Sequence, residues 1–173
     1  MVVLGAVRSL TGEYPDAAGL AEKALGIFRD IGSRLGEANA LHSLGIVRQM
    51  TGDHPGAAQA LEQALGIYRD LGHWGGAADT LNEQGTLHRA HGDLDRAQQC
   101  HEQSLELARD MGSLGDEARA LAGLGRCAID TGRTDEASGL LRQAHEIFER
   151  IGAAEAKDLL AEMDALTDLG PRG

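Results

Sequence analysis

Two short runs of this sequence hold side chains with chemistry in reach. His88 and His91 stand three residues apart, and Cys100 and His101 follow. Imidazole nitrogens and thiolates grouped in this way are the usual ligands of zinc. Gly123-Leu124-Gly125 is a glycine-rich stretch of the kind whose backbone can approach a phosphate. The fuller motifs that would turn either run into a working site are missing. There is no GxxxxGK[ST] phosphate loop, no HExxH and no calcium-binding loop. What the two runs can do therefore depends on the elements that carry them.

Those elements repeat. Shifted by 40 residues, the chain overlays itself without gaps: Gly5, Gly45, Gly85 and Gly125 coincide, as do Gly12, Gly52, Gly92 and Gly132. Ala17, Ala57, Ala97 and Ala137 form a third set, and Gly32, Gly72, Gly112 and Gly152 a fourth. Leu41, Leu81 and Leu121 also align, with Met1 in the same position. A fixed period of this length is the mark of a stacked-repeat protein. Each unit reads as two helices. In the second unit, Ala40, Leu44 and Val47 give one face to a helix over about 36–50. Thr51-Gly52-Asp53 ends that helix, with Gly52 supplying a left-handed cap. A second helix over about 55–71 starts near Pro55 and carries the stripe Ala57, Leu61, Ala64, Leu65, Tyr68 and Leu71. The units fall at about 1–32, 33–72, 73–112 and 113–152. A last amphipathic helix, about 154–169, has no partner after it and reads as a terminal cap. The expected architecture is all-α: a right-handed α-solenoid of four hairpins and a capping helix.

The repeat register reinterprets the reactive side chains. His101 falls where Leu61 and Leu141 stand, and Cys100 where Ala60 and Leu140 stand, both core-facing positions. His88 aligns with Arg8 and Arg48 near the outer end of the hairpin, and Cys127 with Val47 and Leu87 in the core. Packed side chains are the expectation here, not a metal site. Gly123 and Gly125 lie inside a helix, where they cannot wrap a phosphate. The mid-helix glycines at 45, 85 and 125 each cost about 1 kcal/mol relative to Ala. Close approach of the second helix at the Ala17-type position is the expected compensation. Trp74 is the only Trp; it is expected to lid the helix ends, the alternative being an exposed interface anchor.

Composition excludes several classes of function. Asp and Glu number 27 against 16 Lys and Arg, a net charge of −11. Neither nucleic-acid phosphates nor an anionic membrane surface suits such a chain. Hydrophobic residues make up 42% and aromatics only 3%, so the core must be aliphatic and Ala-rich. Two cysteines make no disulfide framework, and no signal peptide or membrane-spanning run is read. A cytoplasmic setting is expected, with no cofactor and no catalysis. Because Met1 aligns with Leu41, the first hairpin lacks a turn, and its Val2, Val3 and Leu4 edge is left open. A longer parent chain or homotypic assembly through that edge would explain this.

Leu44-Gly45, Leu124-Gly125, Ala57, Ala64 and the Gly52-Asp53 turn resemble the landmarks of tetratricopeptide repeats along essentially the whole chain. The sequence departs from the family pattern in several places. Leu41 fills the Trp position, Arg48 the Tyr position and Leu61 the Phe position, and the period exceeds the usual ~34 residues. The longer unit resembles repeats of kinesin light chains and Pins/LGN adaptors. The runs 80–89 and 148–156 resemble the C-terminal repeats of actinobacterial signal-transduction ATPase and antibiotic-regulator proteins. The resemblance implies a protein–protein interaction scaffold whose first helices line a groove, as a module of a larger bacterial regulator. It assigns ligand-facing positions to Asn39, His42, Ile46, Gln49 and Met50 in the second unit. In the third they are Asp79, Asn82, Thr86, Arg89 and Ala90, and in the fourth Arg119, Ala122, Arg126, Ile129 and Asp130. Arg89, Arg119 and Arg126 would form a cationic cluster for an acidic or C-terminal peptide segment, with apolar side chains resting on Ile46 and Ile129. The alternative is that these arginines pair with Asp79, Asp130 and neighbouring acids.

Overall fold

The computed structural model describes residues 14–168, and side chains over 17–164. Eight helices and no strand are found among the described residues. They are α1 (Tyr14–Asp30), α2 (Arg34–Met50), α3 (His54–Asp70), α4 (Trp74–Ala90), α5 (Leu94–Met111), α6 (Leu114–Asp130), α7 (Thr134–Ile151) and α8 (Glu155–Asp168). The first helix of the first unit, with Val2, Val3 and Leu4, lies outside the described residues. Helices α2 and α3 begin two and one residues earlier than expected because Ser33 and Asp53 cap them, as His73 and Asp93 cap α4 and α5. Each side chain accepts from the backbone N–H three residues on.

Every turn is built alike. Gly72 takes φ +63°, and its N–H and that of His73 reach back to the carbonyls of Arg69 and Tyr68 at 3.0 and 2.8 Å. Residues with a Cβ resist this left-handed geometry. The identical turn recurs every 20 residues, so successive helices reverse direction and stack.

Each helix packs on the next, and α2 also packs on α4, and α4 on α6. No pair of second helices packs to a comparable extent among the described residues. The first helices therefore crowd one side of the stack and form its inner wall. A buried aliphatic core runs between the layers, with Leu41, Leu61, Leu81, Leu121, Leu141 and nine-tenths-buried alanines throughout.

The mid-helix glycines permit close packing at the expected Ala57 and Ala137 backbone, and a large side chain of the second helix comes closer still. A Cβ on Gly45 would lie 2.6 Å from Leu61, one on Gly85 2.6 Å from His101, and one on Gly125 2.7 Å from Leu141. The Ala57 and Ala137 carbonyls are the next neighbours, at 3.4 and 3.5 Å. The glycine thus admits a large side chain from the second helix. A second set of close approaches joins the hairpins: Phe28 lies across Gly36 and Tyr68 across Gly76, where a Cβ would sit 2.3 and 2.5 Å from ring carbons. Trp74 is not a lid. It opens α4 and is 48% exposed, because its position precedes the first buried turn.

Replacing Gly85 by Val should lower stability by 1–3 kcal/mol or more through overpacking at His101, despite relief of the glycine helix penalty, as about that range holds for crowded cores. Gly66→Ala, on α3 with nothing within 4 Å of the new Cβ, should stabilise by roughly 0.5–1 kcal/mol. Thermal unfolding followed by circular dichroism separates the two; equal melting temperatures would refute the packing role of Gly85.

Candidate functional site

The inner wall is drawn from α2, α4 and α6, whose matched turns bring corresponding residues of successive units side by side. Asn39 is exposed, and its Oδ1 accepts from the Tyr68 hydroxyl at 2.6 Å. His42, Ile46 and Gln49 are half-buried, and Met50 is exposed. Asp79 is half-buried; Thr86 is exposed and donates through its hydroxyl to the Asn82 carbonyl at 3.1 Å. Ile129 is half-buried and packs on the core of the last two hairpins.

Two assigned positions are not open to a guest. Asn82 is 6% exposed and Ala122 3%. Ala122 belongs to the buried core of the last hairpin and α8, and Asn82 faces the seam between α4 and α6. There the neutral His101 ring from α5 enters between Gly85 of α4 and Gly123 of α6. Its Nδ1–H donates to Asn82 Oδ1 at 3.0 Å. A buried amide–imidazole pair thus replaces the leucine that fills this position in the second and fourth units. Burial, aided by the charges of Arg126 and Arg89, pushes the His101 pKa down to about 4. His101 stays neutral and structural.

The three arginines do not make a bare cationic cluster. Arg89 pairs with Asp130 at 2.6 Å. Arg119 lies 3.3 Å from Asp79 and also pairs with Asp116. Arg126 forms a two-pronged pair with Glu162 of α8, at 2.9 to 3.1 Å. The reason is register. Residues 40 or 41 apart become neighbours on adjacent first helices, so Arg119 meets Asp79 and Arg89 meets Asp130.

A polar cluster remains around Asp79. It joins His42 of α2, Tyr68 of α3, Glu83 of α4 and Arg119 of α6. Burial pushes the Glu83 carboxyl up to about 7, with Asp79 adding to the rise and Arg119 opposing it. Burial likewise lowers His42, against the pull of Asp79. Burial and Asp79 raise the Tyr68 phenol to about 12. For Arg119, burial alone would lower the pKa, but Asp79, Asp116 and Glu83 together outweigh it and hold it up. Sequence reasoning missed Glu83, which is a half-buried Glu one position beyond the family's ligand-facing set; its signal was a carboxylate where the other units have Ser43 and Gly123.

Four buried side-chain polar atoms have no hydrogen-bond partner among the described residues: His42 Nε2, Gln49 Oε1, Asn82 Nδ2 and His54 Nδ1. His42 and Gln49 belong to the inner wall, and Asn82 to the seam behind it. Elsewhere, His54 meets His91 edge-on with ring centroids 4.5 Å apart. Among the described residues no group of three or more His, Cys, Asp or Glu is placed to hold a metal ion. No described helix is long and apolar enough to cross a membrane.

A family model, described as tetratricopeptide repeat, matches residues 1–70 and 76–150. The chain belongs to the tetratricopeptide repeat family. No match is found among curated protein sequences. Solved structures share the solenoid. BtubC (BKLC) from P. vanneervenii is 22% identical with a TM-score of 0.74, covering 86% of this chain and 62% of its own. A Rap protein complexed with Competence and Sporulation Factor is 18% identical with a TM-score of 0.86, covering 94% of this chain and 46% of that one. A Podosopora anserina protein described as a kinesin light chain with nearly identical repeats is 18% identical with a TM-score of 0.70, covering 99% and 95%. The tetratricopeptide chain here thus spans less than two thirds of the BtubC and Rap chains. At these identities the likeness is one of fold.

Opposed titrations follow from the wall. The unfolded chain takes up a proton on His101 below its ordinary pKa of 6.5, whereas the native ring refuses one until about 4. His101 therefore costs stability as pH falls from 6.5 towards 4, on the order of 3 kcal/mol at the limit. Native Glu83 holds a proton up to about 7 that the unfolded chain releases near 4.5. Glu83 therefore costs stability as pH rises from 4.5 to 7. The double variant His101→Leu with Asn82→Ala should lose less melting temperature than wild type between pH 6.5 and 4.5. Glu83→Gln should lose more. Melts at four pH values check both, and superimposable profiles would refute the assignment.

Proposed function

We propose that the inner wall of α2, α4 and α6 holds a segment of a partner protein, and that this chain acts as a non-catalytic scaffold. The observation that carries this reading is the concentration of unpartnered buried polar atoms on that wall. Two of the four among the described residues stand on half-buried side chains there, at His42 and Gln49. An unpaired buried donor or acceptor costs roughly 1–3 kcal/mol, and a peptide backbone brings both partners. Ile46, Met50 and Ile129 supply apolar footing beside them. The repeated glycines, leucines and alanines hold the fold constant while the wall residues differ from unit to unit, as a display surface requires.

Family membership supports a protein-interaction role, and the fold likeness to a Rap protein seen with its bound factor points the same way. Taken as one domain over 1–173, the repeats at about 1–32, 33–72, 73–112 and 113–152 and the capping helix at about 154–169 would serve as a module of a larger regulator in the cytoplasm. An acidic guest at Arg89, Arg119 and Arg126 is disfavoured, since each guanidinium already has a carboxylate.

Selection of binders from a random peptide display library tests the surface. Bound peptides should weaken about tenfold or more, roughly 1.4 kcal/mol, with Ile46→Glu or Ile129→Glu. They should be indifferent to Glu62→Arg and Glu106→Arg on the outer helices α3 and α5. Sensitivity to the outer pair alone would place the binding face elsewhere and end the proposal.

A further inference from the structure

The charge balance around Asp79 is incomplete. Arg119 is the only guanidinium or ammonium among the described residues that the cluster engages, and it is shared between Asp79 and Asp116. Among the described residues Glu83 makes no hydrogen bond or ion pair; the charges of Asp79 and Arg119 reach it. Three carboxyl groups from α4 and α6 thus face one cation. The other polar neighbours bring no charge. Tyr68 spends its proton on Asn39 at 2.6 Å, and burial keeps His42 neutral. Asn82 adjoins Glu83 on α4; it is 6% exposed, and its Nδ2 donor has no acceptor. His42 Nε2 on the facing helix also lacks a partner.

We infer that Asp79, Glu83 and His42 form a subsite for a basic side chain, the ammonium of Lys or the guanidinium of Arg, carried by the partner segment. This rests on the inner wall being the binding face. An acidic guest would have to break the Arg89–Asp130, Arg119–Asp79 or Arg126–Glu162 pair to gain one of its own, with little net return. A basic guest displaces nothing: its charge meets a carboxyl that has no partner, in a half-buried setting where an ion pair is screened less than at the open surface. The charged groups that reach Glu83 are Asp79 on its own helix and Arg119 from α6, while His42 from α2 and Tyr68 from α3 meet the same Asp79. A guest cation adds to Arg119 in favouring the ionised carboxyl, so binding near neutral pH expels a proton.

The test uses capped nonapeptides with eight randomised positions and a central Lys, Arg, norleucine or Glu, applied to the full chain. The Lys and Arg sets should be retained about tenfold better than the norleucine and Glu sets. Glu83→Gln should abolish that preference while leaving norleucine peptides bound as before. Calorimetry of one retained Lys peptide in two buffers of different ionisation enthalpy should show proton release at pH 7 that disappears in Glu83→Gln. Norleucine peptides bound on the inner wall with no preference for Lys or Arg would overturn the basic subsite and spare the groove. A preference that survives Glu83→Gln would overturn the subsite too. Retention of no set at all would overturn both.

Discussion

The solenoid depends on a steric exchange repeated at each hairpin. A glycine in the first helix gives up its Cβ so that a large side chain of the second helix can occupy the space. Leu61, His101 and Leu141 are all at most 2% exposed, and all press where a Cβ on Gly45, Gly85 or Gly125 would be. The helix-propensity cost of about 1 kcal/mol per glycine is offset by burying a whole side chain, worth roughly 1.5–3 kcal/mol for Leu. The exchange also fixes the distance between helices, and with it the rotation from one unit to the next. A second exchange at Phe28–Gly36 and Tyr68–Gly76 carries the same logic across the joint between hairpins.

The third unit uses the arrangement differently. His101 is longer and more polar than leucine, so it needs a second glycine, Gly123, and a partner, Asn82. This draws Asn82 out of the groove and into the seam. Buried Ser104 likewise donates to the Ala78 carbonyl at 2.8 Å. The third unit is thus the polar one, with its interior groups largely satisfied from within, and it stands in the middle of the described wall.

Wall electrostatics follow from stacking. A 40-residue period makes neighbours of residues one unit apart, so acids and arginines at matched positions neutralise one another. Asp79 and Arg119 share a repeat position; Arg89 and Asp130 are one residue out of register and still meet. What is left is set by miscount: three carboxyls near Arg119, and a Glu83 with no ion pair among the described residues. The acidic balance of the chain as a whole has the same sign as this local excess.

The 40-residue identities, the glycine turns and the apolar stripes determined the helices, their order and their stacking, because these depend on local propensity and on a period that can be read along one strand of text. The same register correctly placed His101 and Cys127 in the core. Which side chain each mid-helix glycine admits was beyond it, since aligned positions tell what is equivalent but not what is opposite. Trp74 failed for a similar reason: one turn of helix decides whether a ring meets the core or water. The site was legible as a wall of helices and not as a charge pattern. Arg89, Arg119 and Arg126 are cations in the sequence, but whether they are free depends on carboxylates 36 to 41 residues away brought within about 3 Å, at the distance where Coulomb attraction decides. Only the packed structure sets those distances, and it was packing that buried Asn82 and left Glu83 without a partner.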